Sequence, residues 1–424
     1  MWKQVTRDSS IVLCGSIVSN VFILLYRILV IRELSVEDYA VFALLTTIFN
    51  WLFVFSHFDV YAGLSKFVSE NRTINKLLEV SNYYYNAVFL VVVLSLVGLC
   101  MGLAVSNTLS VNLYVLFVFF GGLLFFSIST VNDGFIKGYE KFKWSALIMS
   151  SSGVSRFAVF AIFMIIVSDV SLHNILILFS IALLVPLIIS SIAIGKLDVF
   201  RYKYQIKNSK STASELFHYS KWVSLTDLLN GGVILSSTYI LSYFSYSDLA
   251  LFNVVIVIYG IFQIGFGAIT TVLIPHVSRR VSEGESIRLL GRKEIIYLFA
   301  GTACLILFFI FVPRKEAMLT YILRNQVYSG VLFYIALLLI TYPFRILTMT
   351  YKGIVQGLNN PRSIAVVALA TFITNLVCFV PLYLRFGILG AVISLNLAYI
   401  IEFIFSYSVA GRLIKRINYV TQGI

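Results

Sequence analysis

The sequence predicts an all-α integral membrane protein: twelve transmembrane helices in two six-helix lobes related by a parallel pseudo-twofold repeat. Three observations lead there. Of 424 residues, 59% are hydrophobic and only 12% charged, whereas soluble domains carry about a quarter charged residues; a soluble enzyme with a polar shell is excluded. The apolar residues gather in runs of about 20, the length a helix needs to cross the hydrocarbon core, while barrel strands would be about ten residues with strict alternation. The 32 Lys and Arg residues, which raise the net charge to +13, also alternate between rich and poor loops.

In chain order the spans fall at about 11–31, 38–62, 80–104, 112–136, 144–167, 174–195, 216–242, 248–275, 293–312, 328–351, 363–384 and 388–411. The first follows a short polar start and is too long for the apolar region of a cleavable signal, so it reads as a membrane helix. The second opens at Asp38, where a carboxylate favours a helix N-terminus. The seventh is the most polar, carrying Ser220, Ser224, Asp227, Asn230 and Thr238, with Gly231 and Gly232 loosening its middle. The eighth closes at Pro275, and the ninth and tenth flank the longest outer loop, about 313–327.

With the N-terminus inside, 24 basic residues lie in inner segments and five (Arg32, Arg314, Lys315, Arg324, Arg385) in outer ones. Three, Arg27, Arg156 and Arg345, remain within spans. By the positive-inside rule both termini are cytoplasmic, in a cell membrane crossed many times. The charge is thus mainly topological and does not form the basic face that nucleic-acid binding needs. Cys14, Cys100, Cys304 and Cys378 are far apart in apolar runs, which suits neither a disulfide framework nor a zinc site; they read as small packing residues.

Leu34–Phe42 (LSVEDYAVF) aligns at an offset of 210 with Phe244–Phe252 (FSYSDLALF), so Asp38 and Asp248 open matching helices. Gly134–Gly138 (GFIKG) aligns at an offset of 219 with Gly353–Gly357 (GIVQG). Together they divide the chain into an N-terminal lobe (1–195), a basic cytoplasmic linker (196–215) and a C-terminal lobe (216–424). Parallel repeats suit a transporter with its substrate between the lobes.

Further segments carry a family resemblance: Arg27 to Phe42 across the first outer turn, Gly63–Phe67, Gly138–Lys143, Ile274–Ser278 and the basic exit Arg412–Arg416. The chain resembles the polysaccharide transporter family, the O-antigen and lipid-linked oligosaccharide flippases (Wzx-type). These belong to the multidrug/oligosaccharidyl-lipid/polysaccharide exporter superfamily. The family often has glycine where Ala40 and Ala250 stand. The resemblance implies a V-shaped central cavity and movement of an undecaprenyl-diphosphate-linked glycan to the outer leaflet. It also implies membrane lipids, a polysaccharide polymerase and assembly proteins as partners, with no enzymatic step.

A diphosphate carrying sugars needs cations, hydrogen-bonding groups and shelter from acyl chains. Ionisable groups inside spans are costly and usually face a cavity or a partner. On the first helix Asn20 and Arg27 share a face with Ser16, and Arg27 is the expected phosphate ligand. On the second, Asn50 and His57 share a face with Thr46 and Tyr61, and Asp59 is close by. On the seventh and eighth, Asp227, Asn230, Asn253 and Gln263 are expected to face the cavity, Asp227 paired with a lobe cation or binding a coupling proton or sodium ion. Lys66, His276, Arg279 and Arg280 are placed to attract the diphosphate at the inner leaflet. Asp133 and Lys352 occupy equivalent repeat positions with opposite sign, and Arg156, Arg345 and Glu402 are expected in salt bridges within the lobes. No Walker loop, catalytic triad or metal cluster appears. The outer loops lack the catalytic carboxylates of a membrane glycosyltransferase. The remaining alternative is a cation-coupled multidrug antiporter of the same superfamily.

Overall fold

The computed structural model describes residues 2–73, 77–106, 111–167, 170–197, 206–260, 330–358 and 360–421, with Leu109 and isolated positions between 262 and 328. Among the described residues the chain is helical throughout, without strands. It divides into two compact units, Met1–Ser224 and Leu225–Ile424.

The first unit begins with α1 (Trp2–Glu33), α2 (Val36–His57), α3 (Val60–Thr73) and α4 (Leu77–Ser106). It continues with α5 (Leu113–Gly138), α6 (Phe142–Ile166), α7 (Leu172–Ala182) and α8 (Leu184–Gly195). Helix α9 (Ile206–Phe244) begins in the first unit and ends in the second. The second unit continues with α10 (Tyr246–Gly260), α11 (Val331–Leu339), α12 (Tyr342–Gly357), α13 (Pro361–Phe386) and α14 (Ile388–Thr421). Among the described residues, eight segments are long and apolar enough to cross a membrane, nine with the bent pair α11–α12. The expected boundary at 215/216 and the observed one at 224/225 differ because the start of α9 is tied to the first unit. There Asn86 Nδ2 donates to the Thr212 hydroxyl at 2.7 Å, and Tyr83 donates to Glu215. Residues 206–215, expected as linker, are helical.

Each break in a span has a local cause. The expected second span is two helices, because Phe58 and Asp59 adopt φ of 46° and 47°, a left-handed turn that ends α2. Between α7 and α8 the chain breaks at Leu183; Pro186 has no N–H for the Ala182 carbonyl. Pro343 does the same to Leu339, and α11 and α12 meet at 48°.

The repeat is visible in the caps. The Ser35 hydroxyl accepts from the Asp38 backbone N–H at 3.0 Å, and the Ser245 hydroxyl accepts from that of Asp248 at 3.2 Å. Both helices therefore open with the same N-cap chemistry.

In the first unit α1 lies along α6 at unusually short range. A Cβ on Gly15 would meet the Ala146 carbonyl at 2.7 Å, and one on Gly153 would collide with the Ser19 backbone. Small residues let membrane helices approach this closely. Phe49, Phe119 and Phe179 fill the centre with ring centroids 5.1–5.3 Å apart. In the second unit a polar seam joins α9, α13 and α14. Asn375, fully buried, donates to the Val233 carbonyl at 3.2 Å and the Ser237 hydroxyl at 3.0 Å, and accepts from Ser394 at 3.1 Å.

Large apolar side chains also point outward, Phe89 at 72% and Ile165 at 85% exposure, as helices facing acyl chains require. Cys14, Cys100 and Cys304 share these exposed surfaces as free thiols, and Cys378 is half-buried. The expectation that all four are packing residues is corrected: a thiol is apolar enough to face lipid as readily as a core.

Gly153→Val is expected to push α1 from α6 and lower thermal stability by about 1–3 kcal/mol, read as the melting point of the detergent-purified protein. Gly121→Ala, where a Cβ meets nothing within 4 Å, is expected to leave it unchanged or slightly raised.

Candidate functional site

The first unit contributes the cationic residues of α1 and α6. Asn20 is satisfied within its own helix, its amide donating to the Ser16 carbonyl at 2.8 Å. Two turns on, Arg27 is half-buried, beside the Tyr39 hydroxyl and 5.9 Å from the Phe42 ring centroid. Asn50 is exposed.

His57 and Asp59 meet at the α2–α3 break. The Val54 carbonyl only accepts, so His57 Nδ1, 2.9 Å away, carries the hydrogen. That turns Nε2 toward Asp59 Oδ1, at 3.8 Å. His57 also stacks on Phe53 and Tyr61, with centroids 4.5 and 5.6 Å away. The Ser220 hydroxyl on α9 donates to the Asp59 backbone carbonyl at 3.3 Å. Lys66 is exposed, its ammonium 4.9 Å from the Tyr219 ring centroid.

In the second unit Asp227 is exposed and lies within electrostatic range of Lys352. Asn230 is half-buried, and Asn253 is buried and donates to the Leu249 carbonyl of its own helix at 3.4 Å. Gln263 lies beside the hydroxyls of Tyr259 and Tyr399. His276, Arg279 and Arg280 lie outside the described residues.

The expected internal salt bridges divide sharply. Glu402 on α14, fully buried, takes Lys352 on one oxygen and Arg345 on the other, both from α12. Arg345 also lies 4.3 Å from the Tyr399 ring centroid. Asp133 pairs one turn along its own helix with Lys137 at 2.6 Å. Arg156 departs from the expectation: among the described residues no carboxylate pairs with it. Its guanidinium lies instead against the faces of Phe179 and Phe126, 4.7 and 5.3 Å from their centroids. Aromatic faces offer a cation some stabilisation in place of an anion. Sequence reasoning missed Tyr26 and Tyr39, whose hydroxyls sit beside these arginines. Their positions, next to Arg27 and opposite it across the turn between α1 and α2, were the available signal.

Residues 5–281 match the profile of the family described as "Polysaccharide biosynthesis protein". The chain belongs to that family. No curated protein matches the sequence significantly. Among solved structures, this family member is similar to an inward-facing multidrug resistance MATE family transporter of the MOP superfamily. That match has a TM-score of 0.75 at 12% identity, covering 95% of this chain and 94% of that one. A mutant of the Vibrio cholerae MATE transporter VcmN matches with a TM-score of 0.70 at 14% identity, covering 98% and 97%. An outward-facing MATE family transporter matches at 0.71 and 13% identity, covering 98% and 96%. At these identities the likeness is one of fold: two lobes and twelve helices. The family match and the likeness in fold, with eight segments long and apolar enough to cross a membrane among the described residues, are those of a multi-pass membrane protein.

Loss of Glu402 and loss of one of its two partners are not equivalent. Glu402→Gln leaves two cations buried without an anion and is expected to destabilise the protein by about 3–5 kcal/mol. Lys352→Met leaves one neutral Arg345–Glu402 pair and is expected to cost clearly less. Melting points of the two purified variants, compared with the parent, test the order.

Proposed function

We propose that the protein is a flippase that moves an undecaprenyl-diphosphate-linked oligosaccharide, such as an O-antigen or another surface-polysaccharide repeat unit, across the cytoplasmic membrane by alternating access. The family match carries this reading, because it ties a transporter fold to polysaccharide biosynthesis. The charges agree with it. The intramembrane arginines of the first unit, Arg27 and Arg156, have no carboxylate partner among the described residues, which suits an anionic cargo better than a cationic drug. The glycan and diphosphate follow the polar route while the polyprenyl tail stays in lipid.

In this reading Arg27 takes the phosphate oxygens through its planar fork, and Lys66 attracts the head group at the inner leaflet. Asn20, Asn50, Asn230, Asn253 and Gln263 offer hydrogen bonds to sugar hydroxyls along the route. Asp227, set near Lys352, is the carboxylate best placed to exchange a coupling proton or sodium ion. Both termini stand in the cytoplasm, and the delivered unit passes to a polysaccharide polymerase and assembly proteins. The multidrug transporters share the fold, and nothing in the family match favours drug export.

Arg27→Ala is expected to abolish surface polysaccharide, or reduce it at least tenfold, while the protein remains in the membrane. Immunoblotting of membranes beside surface glycan, with assay of accumulated lipid-linked intermediate, provides the test. Normal export by that variant would remove the role given to Arg27.

A further inference from the structure

The α1–α6 contact holds a group of hydrogen-bond donors with no matching acceptor among the described residues. Arg156 is only 9% exposed, and its Nε has no hydrogen-bond partner among the described residues. The Tyr26 hydroxyl, 3% exposed, is likewise buried without a partner among them. Tyr26 lies within electrostatic range of both Arg27 and Arg156, and the two guanidinium groups are within range of each other. Edge-on rings of Phe42 and Phe160 enclose Tyr26, with centroids 6.4 and 5.6 Å away. The backbones of α1 and α6 meet at Gly153 and Ser19, so the two arginines are carried on closely packed helices. Two like charges and an unmet hydroxyl in an apolar bundle are costly unless an anion joins them.

The repeat supplies an internal control. An offset of 210 carries Arg27 onto Ser237, and an offset of 219 carries Arg156 onto Asn375. In the second unit those residues hydrogen-bond directly at 3.0 Å, and Ser394 and the Val233 carbonyl complete a neutral, closed network. The same place in the fold is therefore filled by self-satisfied amide and hydroxyl groups in one half and by two uncompensated guanidinium groups in the other. Packing alone does not call for arginine there.

We infer that Arg27, Arg156 and the Tyr26 hydroxyl form an oxyanion site inside the first unit that holds a phosphate group, with no counterpart among the described residues of the second unit. Each guanidinium offers paired N–H donors that match two phosphate oxygens, and the aromatic walls of Phe126 and Phe179 exclude water, which strengthens those bonds. Arg27 is shared with the flippase reading, and the inference rests on that reading only for where the phosphate comes from. The chemistry itself admits a free phosphate or the head group of a lipid.

The test is binding to the full-length, detergent-purified protein at constant ionic strength. Inorganic pyrophosphate and farnesyl diphosphate are titrated by calorimetry, with melting points measured in parallel. Wild type is expected to bind at least one, and Arg156→Gln and Arg27→Gln to bind it roughly tenfold to hundredfold more weakly, as loss of a charge-assisted contact implies. Tighter binding of farnesyl diphosphate assigns the site to a lipid head group; equal binding assigns it to a free phosphate. Arg27→Glu guards against misfolding of the other variants: its carboxylate should pair with Arg156, raise the melting point of the anion-free protein and make it insensitive to pyrophosphate. Wild type that binds neither probe, or Arg156→Gln that binds as wild type does, would overturn the site. Surface polysaccharide is scored separately. Normal surface polysaccharide in a strain lacking the protein, with phosphate binding intact in wild type, sinks the transport reading and leaves the site standing. Lost export with no phosphate binding does the reverse.

Discussion

A polar group inside a bilayer has no water to turn to, so its partner must come from the protein or from what the protein carries. Most of this structure follows from that constraint. The backbone satisfies itself by forming helices. Where proline withholds an N–H, at Pro186 and Pro343, the helix breaks and a new one starts within three residues. Asn375 sits fully buried because Ser237, Ser394 and the Val233 carbonyl meet its amide. Glu402 sits at no exposure because Lys352 and Arg345 hold its two oxygens.

The same constraint gives the exceptions their meaning. Both halves open their second helix with the same serine cap, yet they differ in how charge is handled. In the second unit cations and carboxylates meet across α12 and α14, and the polar seam beside them is neutral. In the first unit Asp133 closes on Lys137 within α5, while Arg27 and Arg156 are left to aromatic faces and tyrosine hydroxyls. In the proposed flippase, a duplicated scaffold whose halves keep their helices but diverge in charge gives the anionic cargo a preferred side. It also separates the residues that hold the bundle together from those available to a substrate.

The helices were largely legible in the sequence, because a run of apolar residues long enough to span a bilayer has few other uses. The spans expected at 11–31, 80–104, 112–136, 144–167, 363–384 and 388–411 match α1, α4, α5, α6, α13 and α14 apart from their ends. The break at Phe58 and Asp59 was hidden, since neither is glycine or proline and nothing local announces a left-handed turn there. The extent of α9 was also hidden, because its first two turns are polar and are held by Asn86 and Tyr83 from a helix more than a hundred residues earlier. Arg27, Arg156, Arg345 and Glu402 were recognisable as charges within spans, but not which of them pair.

The sequence by itself therefore determined that this is a polytopic membrane protein, where its helices run and which residues are charged within them. These properties depend on composition and on spacing along one chain. Tertiary structure decided which buried charges are answered. Arg345 and Arg156 look alike in the sequence, each an arginine among apolar neighbours, but Glu402 reaches one, and among the described residues no carboxylate reaches the other. That difference is set by which helix faces are brought together across tens to more than a hundred residues of chain, and a one-dimensional pattern does not encode it.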